Sequence, residues 1–126
     1  MLNALFPNTV YVRVKRNQFR IRHLESGVDT TVQAGIPFTT QRMLIGDFTA
    51  AAQALKQALK EAAKGRILPV APHVLIQPLE MIEGGLCQIE ERIIREIAMG
   101  AGASRVVVLV GPELSDSQVK EKLRGK

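Results

Sequence analysis

The sequence predicts an α/β domain built on a mixed sheet with an N-terminal antiparallel meander and flanking helices. Three observations favour this fold class. Val10–Lys15 alternates apolar and polar residues in the period-2 pattern of a half-buried strand. His73–Ile76 and Val106–Val110 are continuous apolar runs, which are typical of strands buried on both faces. An amphipathic helical segment precedes each of these runs, and 46% hydrophobic residues in a chain of 126 suffice for one sizeable core.

The first third of the chain supplies the meander. Val10–Lys15 is followed by a polar turn at Arg16–Gln18 and by Phe19–Leu24, where apolar and basic residues alternate. Glu25–Gly27 is a second turn, and Val28–Gln33 is rich in the β-branched residues that strands favour. Because both turns are short, neighbouring strands are expected to run antiparallel.

A loop and a long helix come next. Thr39–Gly46 is predicted to be a loop, in which Met43–Ile45 is a candidate for a short strand. Asp47 is a good N-cap residue, and the helix after it runs to about Lys64, where Gly65 stops it. The apolar residues of this helix recur at spacings of three and four, and they form a stripe that faces a core. They are Phe48, Ala51 or Ala52, Leu55, Leu59 and Ala62.

The second helix is predicted over Leu86–Met99, with isoleucines on its inner face and charged residues outside. Gly100–Ala103 then joins this helix to the strand Val106–Val110. Ser115–Leu123 has the charge of a short surface helix but only two apolar positions, so it either frays or docks onto a partner. The sequence therefore predicts one domain over residues 1–126, with a core at about 9–112 and a charged C-terminal tail at 113–126.

Positive charge is concentrated near the N-terminus. The formal net charge is +5, and five cations precede the first acid, Glu25. On a strand pair these cations form a basic face, which is either a solvated outer surface or a surface for an oppositely charged partner. Lysines spaced four residues apart add charge to the outer side of the first helix. The candidate interaction surface therefore comprises Arg13, Lys15, Arg16, Arg20, Arg22, Lys56 and Lys60.

Catalytic, metal and cofactor sites are not predicted. Cys87 is the one cysteine, so an internal disulfide and a cysteine-based zinc cluster are excluded. The sequence has no His-x-x-x-His, no acidic metal-binding pair and no nucleophile elbow. No apolar stretch reaches the ~20 residues of a transmembrane helix, and the first residues do not resemble a signal peptide, so a cytoplasmic location is expected.

The Gly100–Ala103 segment looks like a phosphate-binding loop, but the order of elements is reversed. Phosphate loops follow a strand and open a helix, so that the first N–H groups of the helix point at the phosphate. Here the glycines follow a helix and precede a strand, where a glycine supplies a positive φ and lets the two elements pack closely. Gly84-Gly85 precedes a helix, but it lacks the lysine and the second spaced glycine of a P-loop.

Three segments, Ile89–Glu96, Gly100–Ala103 and Val106–Val110, together resemble part of the first domain of the bacterial actin homologue MreB family. In that family a helix with an E-R-R-x-I-R-E core runs into Q-G-A-G-A and a strand. His73–Ile76 is similar to the preceding R-V-L-V strand, and residues 43–48 are similar to the G-V-I-A-D-F that opens the earlier helix. The resemblance spans about residues 10–112 and is specific over 89–110. It implies part of an actin-like ATPase (ribonuclease H-like) domain.

The nucleotide site of the MreB family is not preserved in this sequence. The family's first strand ends in D-L-G-T, whose Asp helps to position the metal and whose turn cradles phosphate. Arg13 stands in place of the acid, and Lys15 stands in place of the glycine. The chain also ends before the family's second phosphate loop and second domain. The resemblance therefore implies no bound cofactor and no ATP hydrolysis by this chain alone.

The functional expectation is a non-catalytic, MreB-like bacterial protein that acts through protein–protein contacts in cell-shape, rod shape-determining or cytoskeletal assembly. Part of an actin-type domain leaves surfaces that the complete protein would cover, so self-association or a protein partner is expected. The alternative is a basic nucleic-acid-binding module that uses the Arg/Lys face of the N-terminal hairpin. A chain without Trp and with one Tyr offers such a module little aromatic surface on which to stack bases.

Overall fold

The computed structural model describes residues 8–62 and 71–124, and in them a five-stranded mixed sheet lies between helices. Strand β1 lies at the centre of the sheet, and the strand order is β3-β2-β1-β4-β5. The elements are β1 (Thr9–Lys15), β2 (Gln18–His23), β3 (Val28–Gln33), α1 (Phe48–Ala62), β4 (His73–Pro78), α2 (Gln88–Gly100), β5 (Arg105–Val108) and α3 (Asp116–Arg124).

Strand direction confirms the predicted α/β class and the N-terminal meander. β1 pairs antiparallel with β2, and β2 pairs antiparallel with β3. On its other side β1 pairs parallel with β4, and β4 pairs parallel with β5. Each of the two parallel connections passes through a helix, as parallel strands require. Only β2 therefore runs against the other four strands.

One face of the sheet packs against α1 and α2. Val10, Val12 and Val14 of β1 point to this face and are buried, together with Leu55 of α1 and Ile97 of α2. These positions follow the period of 2 in the strand and of 3.6 in the helices, which is why the apolar stripes meet. The main hydrophobic core therefore lies between β1 and the two helices.

The glycine joint after α2 has the predicted role. The helix ends at Gly100, and Gly102 has a φ of 112°, a conformation that residues with a side chain rarely adopt. The N–H of Gly102 donates to the Met99 carbonyl at 3.0 Å, and Ala103 returns to the core. The joint thus turns the chain directly from the helix into β5.

The other face of the sheet is covered by α3. Val119 and Leu123 are buried against Tyr11 of β1 and Leu75 of β4, so this short helix has a core of its own. The segment that the sequence sets apart as a charged tail at 113–126 is thus part of the fold over the residues described, 113–124. The helix docks within its own chain because its two apolar positions, four residues apart, lie on one face.

Two predicted strands differ from the structure. Met43–Ile45 forms no strand, because a local turn in which Thr40 N–H donates to the Met43 carbonyl takes up its backbone. β5 ends at Val108 instead of Val110. Ile76 of β4 pairs with Val108, so Pro78 falls opposite Val110, and Pro78 has no N–H to extend the ladder. The predicted end of the first helix at Lys64 and Gly65 lies outside the described residues.

Asn17 organises the long loop before α1. It occupies the two-residue turn between β1 and β2 with a φ of 55°, and Asn is one of the few residues that tolerate this conformation. Its side-chain oxygen accepts the N–H groups of Phe38 and Thr39, each at 2.8 Å. The Phe38 ring stacks on Phe19 with centroids 5.0 Å apart. Asn17 therefore fixes the loop to the sheet.

Replacing Asn17 separates its two contributions. Asn17→Ala loses both hydrogen bonds and places a Cβ-bearing residue at positive φ, so we expect a loss of about 2–4 kcal/mol in the free energy of unfolding. Asn17→Gly loses the hydrogen bonds but keeps the turn unstrained, so its loss should be about 1–2 kcal/mol smaller. Urea denaturation of both variants measures the difference, and equal losses would contradict the assigned role of the φ angle.

Candidate interaction site

The predicted basic face lies on the α3 side of the sheet. In β1, Tyr11 and Arg13 alternate with the core valines and point away from α1 and α2. Arg20 of β2 is the cross-strand neighbour of Arg13, and Arg22 is the neighbour of Tyr11. Because side chains alternate across a strand, these three arginines share one face. The structure therefore brings Arg13, Arg20 and Arg22 together, as the sequence predicts.

Arg13 is a buried cation at the centre of this face. It is 5% exposed, and its guanidinium carbon lies 4.7 Å from the centroid of the Tyr11 ring, a cation–π arrangement. Its Nη2 lies 3.3 Å from Asp29 Oδ2, and its Nη1 lies 3.5 Å from Glu113 Oε1. A buried charge is tolerated only when it is paired, so these two carboxylates are what allow an arginine at this position.

Asp29 of β3 is shared among the arginines. Besides Arg13 it contacts Arg20 Nε at 3.2 Å and Arg22 Nη1 at 3.6 Å. Partial burial would raise the pKa of this carboxyl, but the charges of Arg13 and Arg20 and their hydrogen bonds outweigh burial, and the pKa lies below its ordinary value. Asp29 is therefore ionised at neutral pH and neutralises much of the face.

Arg22 ties the same face to α3. Its Nε and Nη2 donate to the two carboxylate oxygens of Asp116 at 2.8 and 3.0 Å, a bidentate pair. Asp116 is the first residue of α3, where a negative charge also favours the helix dipole. The hydrogen bonds from Arg22 lower the pKa of the Asp116 carboxyl below its ordinary value. The ion pair with Arg22 and the apolar packing of α3 thus hold the helix in the same place on the sheet.

A buried polar network closes the carboxyl ends of β1 and β4. The hydroxyl of Tyr11 donates to Gln77 Oε1 and accepts the N–H of Leu114 at 3.0 Å. Gln77 Nε2 donates to the carbonyls of Gly111 and Pro112 at 2.8 and 2.9 Å. Burial raises the pKa of Tyr11, so the hydroxyl is protonated and able to donate. The network holds the chain after β5 across the sheet.

The end of β1 and the turn after it contribute two further cations. Arg16 N–H donates to Glu80 Oε1 at 2.7 Å, and the Arg16 side chain lies 3.6 Å from the same oxygen. Lys15 is exposed at the end of β1, and it has no ion pair among the described residues. The five hairpin cations thus face four carboxylates, which leaves this surface far less positive than the sequence suggests.

Lys56 and Lys60 lie elsewhere on the molecule. Both are exposed on α1, whose opposite side packs against the valine face of β1. The sheet therefore separates them from Arg13, Arg20 and Arg22. The seven candidate residues are therefore divided between two surfaces. The sequence did not predict this division, because chain order carries no information about which layer covers which face.

A shallow apolar pocket lies between the loop before α1 and the start of α2. It has a volume of about 260 Å³ with its open mouth included, and Met43–Ile45 and Met81 supply much of its wall. Met81 has a φ of 58°, which is unusual for a residue with a side chain. Glu80 and Glu90 at its border accept backbone N–H groups at 2.7 and 3.2 Å. The pocket thus offers apolar contact more than acid–base chemistry.

Residues 8–62 and 71–124 contain no group of three or more His, Cys, Asp or Glu side chains placed to hold a metal ion. None of the helices in this part of the chain has the length and apolar character needed to cross a bilayer.

Comparison with known proteins gives the family. A protein from Escherichia coli (strain K12), named "Uncharacterized protein YjaA", is 32% identical to this chain over 128 residues. The match covers 94% of this chain and 99% of that protein. The chain belongs to the YjaA family. No family model matches the sequence. The alignment with YjaA includes nearly the whole length of both chains.

The acidic partners and Gln77 were not identified from the sequence. Asp29, Glu113 and Asp116 are separated from their arginines by 16, 100 and 94 residues, and no local spacing marks such pairs. Gln77 could have been identified from the sequence. It is a polar residue at the end of an apolar run, and a polar residue in a buried strand requires a hydrogen-bond partner.

The Tyr11–Gln77 network can be tested by a double-mutant cycle. Tyr11→Phe leaves Gln77 Oε1 and the Leu114 N–H unpaired, so we expect a loss of about 1–3 kcal/mol in the free energy of unfolding. Gln77→Leu should cost a similar amount, and the double variant should cost less than the sum because the same contacts are removed twice. Additive losses in denaturant titrations would show that the two side chains act independently.

Acid should weaken the attachment of α3. The pKa values of Asp29 and Asp116 are lowered from 3.8 by folding, so their contribution is complete above that pH and is lost as the pH falls through the lower folded values. At pH 7, Asp116→Asn should lower the free energy of unfolding by about 0.5–1 kcal/mol, as expected for a partly exposed pair. Glu121→Gln, on the exposed side of the same helix, is the control.

Thermal unfolding between pH 7 and pH 2 measures this effect. The wild type and Glu121→Gln should lose stability in parallel below about pH 4, whereas Asp116→Asn should lose less over the same interval. A pH profile of Asp116→Asn that coincides with the wild type would exclude this ion pair as a source of acid sensitivity.

Proposed function

We propose that this chain is a non-catalytic, MreB-like protein of the bacterial cytoplasm that acts through protein–protein contacts in cell-shape or cytoskeletal assembly. The proposal includes the finer fold assignment, part of an actin-like (ribonuclease H-like) domain. The order of elements supports it. A three-stranded antiparallel meander is followed by helix, strand, helix and strand, and both later strands are parallel to β1.

Arg13 is the observation that carries the non-catalytic part of the proposal. The resemblance to the MreB family places Arg13 where that family has its metal-positioning acid. In the fold Arg13 is 5% exposed and held by Asp29 and Glu113. A fixed guanidinium repels a divalent cation, and its two carboxylates are engaged by the arginine. The chemistry at this position is thus opposite to that of a metal–nucleotide site.

The carboxyl ends of the parallel strands support the same conclusion. In open α/β sheets, ligands bind in the crevice beyond these ends, where the strand order changes direction. Here β1 and β4 are the strands at which the order changes direction. The Arg16–Glu80 pair and the chain at 111–114, held by Gln77 and Tyr11, cover this region. The polar groups that would recognise a nucleotide are instead bonded to one another.

Exposed apolar side chains support a role through protein contacts. Ile36 is 63% exposed and Phe48 is 46% exposed. They belong to two segments joined by backbone hydrogen bonds, in which the Phe38 carbonyl accepts the N–H groups of Gly46 and Asp47 at 2.8 and 2.9 Å. Exposed apolar side chains on neighbouring segments are typical of binding sites. We therefore assign protein contact to the surface around Ile36 and Phe48.

The alternative of a nucleic-acid-binding module has less support. Binding to nucleic acid requires cations that are free to contact phosphates and to displace the counterions condensed on them. Four of the five hairpin cations are paired with carboxylates of the same chain, and the candidates on α1 lie on the other side of the sheet. Lys15 is the exposed hairpin cation without an ion pair among the described residues.

Three measurements test the proposed function together. Calorimetric titration with Mg-ATP should give no binding heat, and anisotropy titration with DNA or RNA at low salt should give no saturable binding. A pull-down from native extract should recover a defined protein with the wild type and lose it with the Ile36→Ser/Phe48→Ser variant. Ile89→Ser is the matched control, since Ile89 is an apolar side chain 68% exposed on another element, α2.

Each of the three measurements has an outcome that would contradict part of the proposal. Binding heat with Mg-ATP would contradict the non-catalytic assignment, and nucleic-acid binding with a steep salt dependence would favour the alternative. Equal recovery by the double variant and by Ile89→Ser would remove the Ile36–Phe48 surface from the proposal. A wild type that captures no protein and does not self-associate would overturn the contact role itself.

A further inference from the structure

The apolar pocket between the loop before α1 and the start of α2 has the composition of a ligand site. Seven of its nine described lining residues are apolar, and the other two are Glu80 and Glu90. Leu44, Ile45 and Ile94 belong to the main core, so packing fixes this part of the wall before a ligand arrives. Sites for small molecules are concave and mainly apolar, and a few polar groups select the ligand. The pocket meets both conditions.

Met81 lines the pocket in an unfavourable backbone conformation. Its φ of 58° lies in the left-handed region, which residues with a long side chain rarely adopt. The side chain is partly buried against the main core. Residues held in such conformations cluster at ligand sites, where the surrounding structure keeps the side chain in position. Met43 lines the pocket as well, and the unbranched side chains of two methionines adapt their shape to an apolar ligand.

The border of the pocket carries negative charge that the fold does not fully compensate. Arg16 lies 3.6 Å from Glu80, whereas Glu90 forms no ion pair within residues 8–62 and 71–124. Glu90 accepts the Cys87 N–H through Oε1 at 3.2 Å, and its Oε2 accepts no hydrogen bond from that part of the chain. No lysine or arginine is among the described lining residues. The free oxygen of Glu90 therefore suits a cation that donates a hydrogen bond.

We propose that this pocket binds a small primary alkylamine in its ammonium form. The alkyl chain lies against the methionine, leucine and isoleucine side chains, and the ammonium group donates to Glu90. The described lining residues include no aromatic ring, so they form no cation–π cage for a quaternary ammonium, and recognition depends on N–H donors. The carboxylates at the border repel anionic ligands. This binding is independent of the protein contacts proposed above.

Methyl NMR of the full chain with isotope-labelled methionine measures this binding. On titration with hexylamine, the Met43 and Met81 signals should shift and saturate, with a dissociation constant in the millimolar range expected of so small a ligand. Met99 is 48% exposed on α2 and is not among the lining residues, so its signal should not shift. Hexanoate has the same chain length and the opposite charge, and it should bind about tenfold more weakly or less.

Glu90→Gln removes the charge and keeps the helix cap, because the Gln carbonyl still accepts the Cys87 N–H. We expect this variant to bind hexylamine about three- to fivefold more weakly than the wild type. Its affinity for uncharged hexanol should be unchanged, which shows that the apolar wall is intact. Glu96→Gln is the matched control, since Glu96 is an exposed carboxylate on the same helix and does not line the pocket. It should bind hexylamine as the wild type does.

Three outcomes would overturn the inference. In the first, neither Met43 nor Met81 shifts with hexylamine. In the second, hexanoate binds as tightly as hexylamine. In the third, Glu90→Gln and the wild type have the same affinity for hexylamine, so the ammonium group is not bound by this carboxylate. A protein recovered through the Ile36–Phe48 surface would leave the proposed function standing in every case, so the two failures are distinguishable.

Discussion

Strand β1 is buried on both faces, and this burial determines the arrangement around it. Its valines require α1 and α2 on one side, while Tyr11 and Leu75 require α3 on the other. Arg13 is buried in the same strand, so carboxylates must come to it from β3 and from the chain after β5. The covering helices, β3 and the chain after β5 are therefore positioned by their contacts with β1.

The polar side chains on the α3 face of the sheet consequently stabilise the fold through contacts with one another. Asp29 and Asp116 engage the arginines that the sequence offers as an interaction surface, and Gln77 is fully buried behind them. An arginine committed to an internal ion pair would have to leave its carboxylate before it could bind a partner's charge. This is why the apolar residues at the loop before α1, and not the basic face, carry the proposed function.

Periodicity was sufficient to predict the α/β class, the meander, the first two helices and the joint at Gly100–Ala103, because these depend on neighbouring residues, whereas Ser115–Leu123 was predicted to fray or to dock onto a partner. What it could not supply was the layer on which each helix packs. Val119 and Leu123 gave two apolar positions and no indication of which surface they cover. The pairing of Arg13 with Glu113 depends on the complete topology, so the candidate basic surface was predicted without its acidic partners.

The contact between Tyr11 and Leu114 has a consequence for the chain during its synthesis. The two residues are 103 positions apart, and Tyr11, in β1, is synthesised long before Leu114. In a growing chain the second face of β1 therefore stays open to solvent until residue 114 and the helix after it have left the ribosome. Whatever order the strands assemble in, the closing of this face waits for residues made 103 positions after Tyr11.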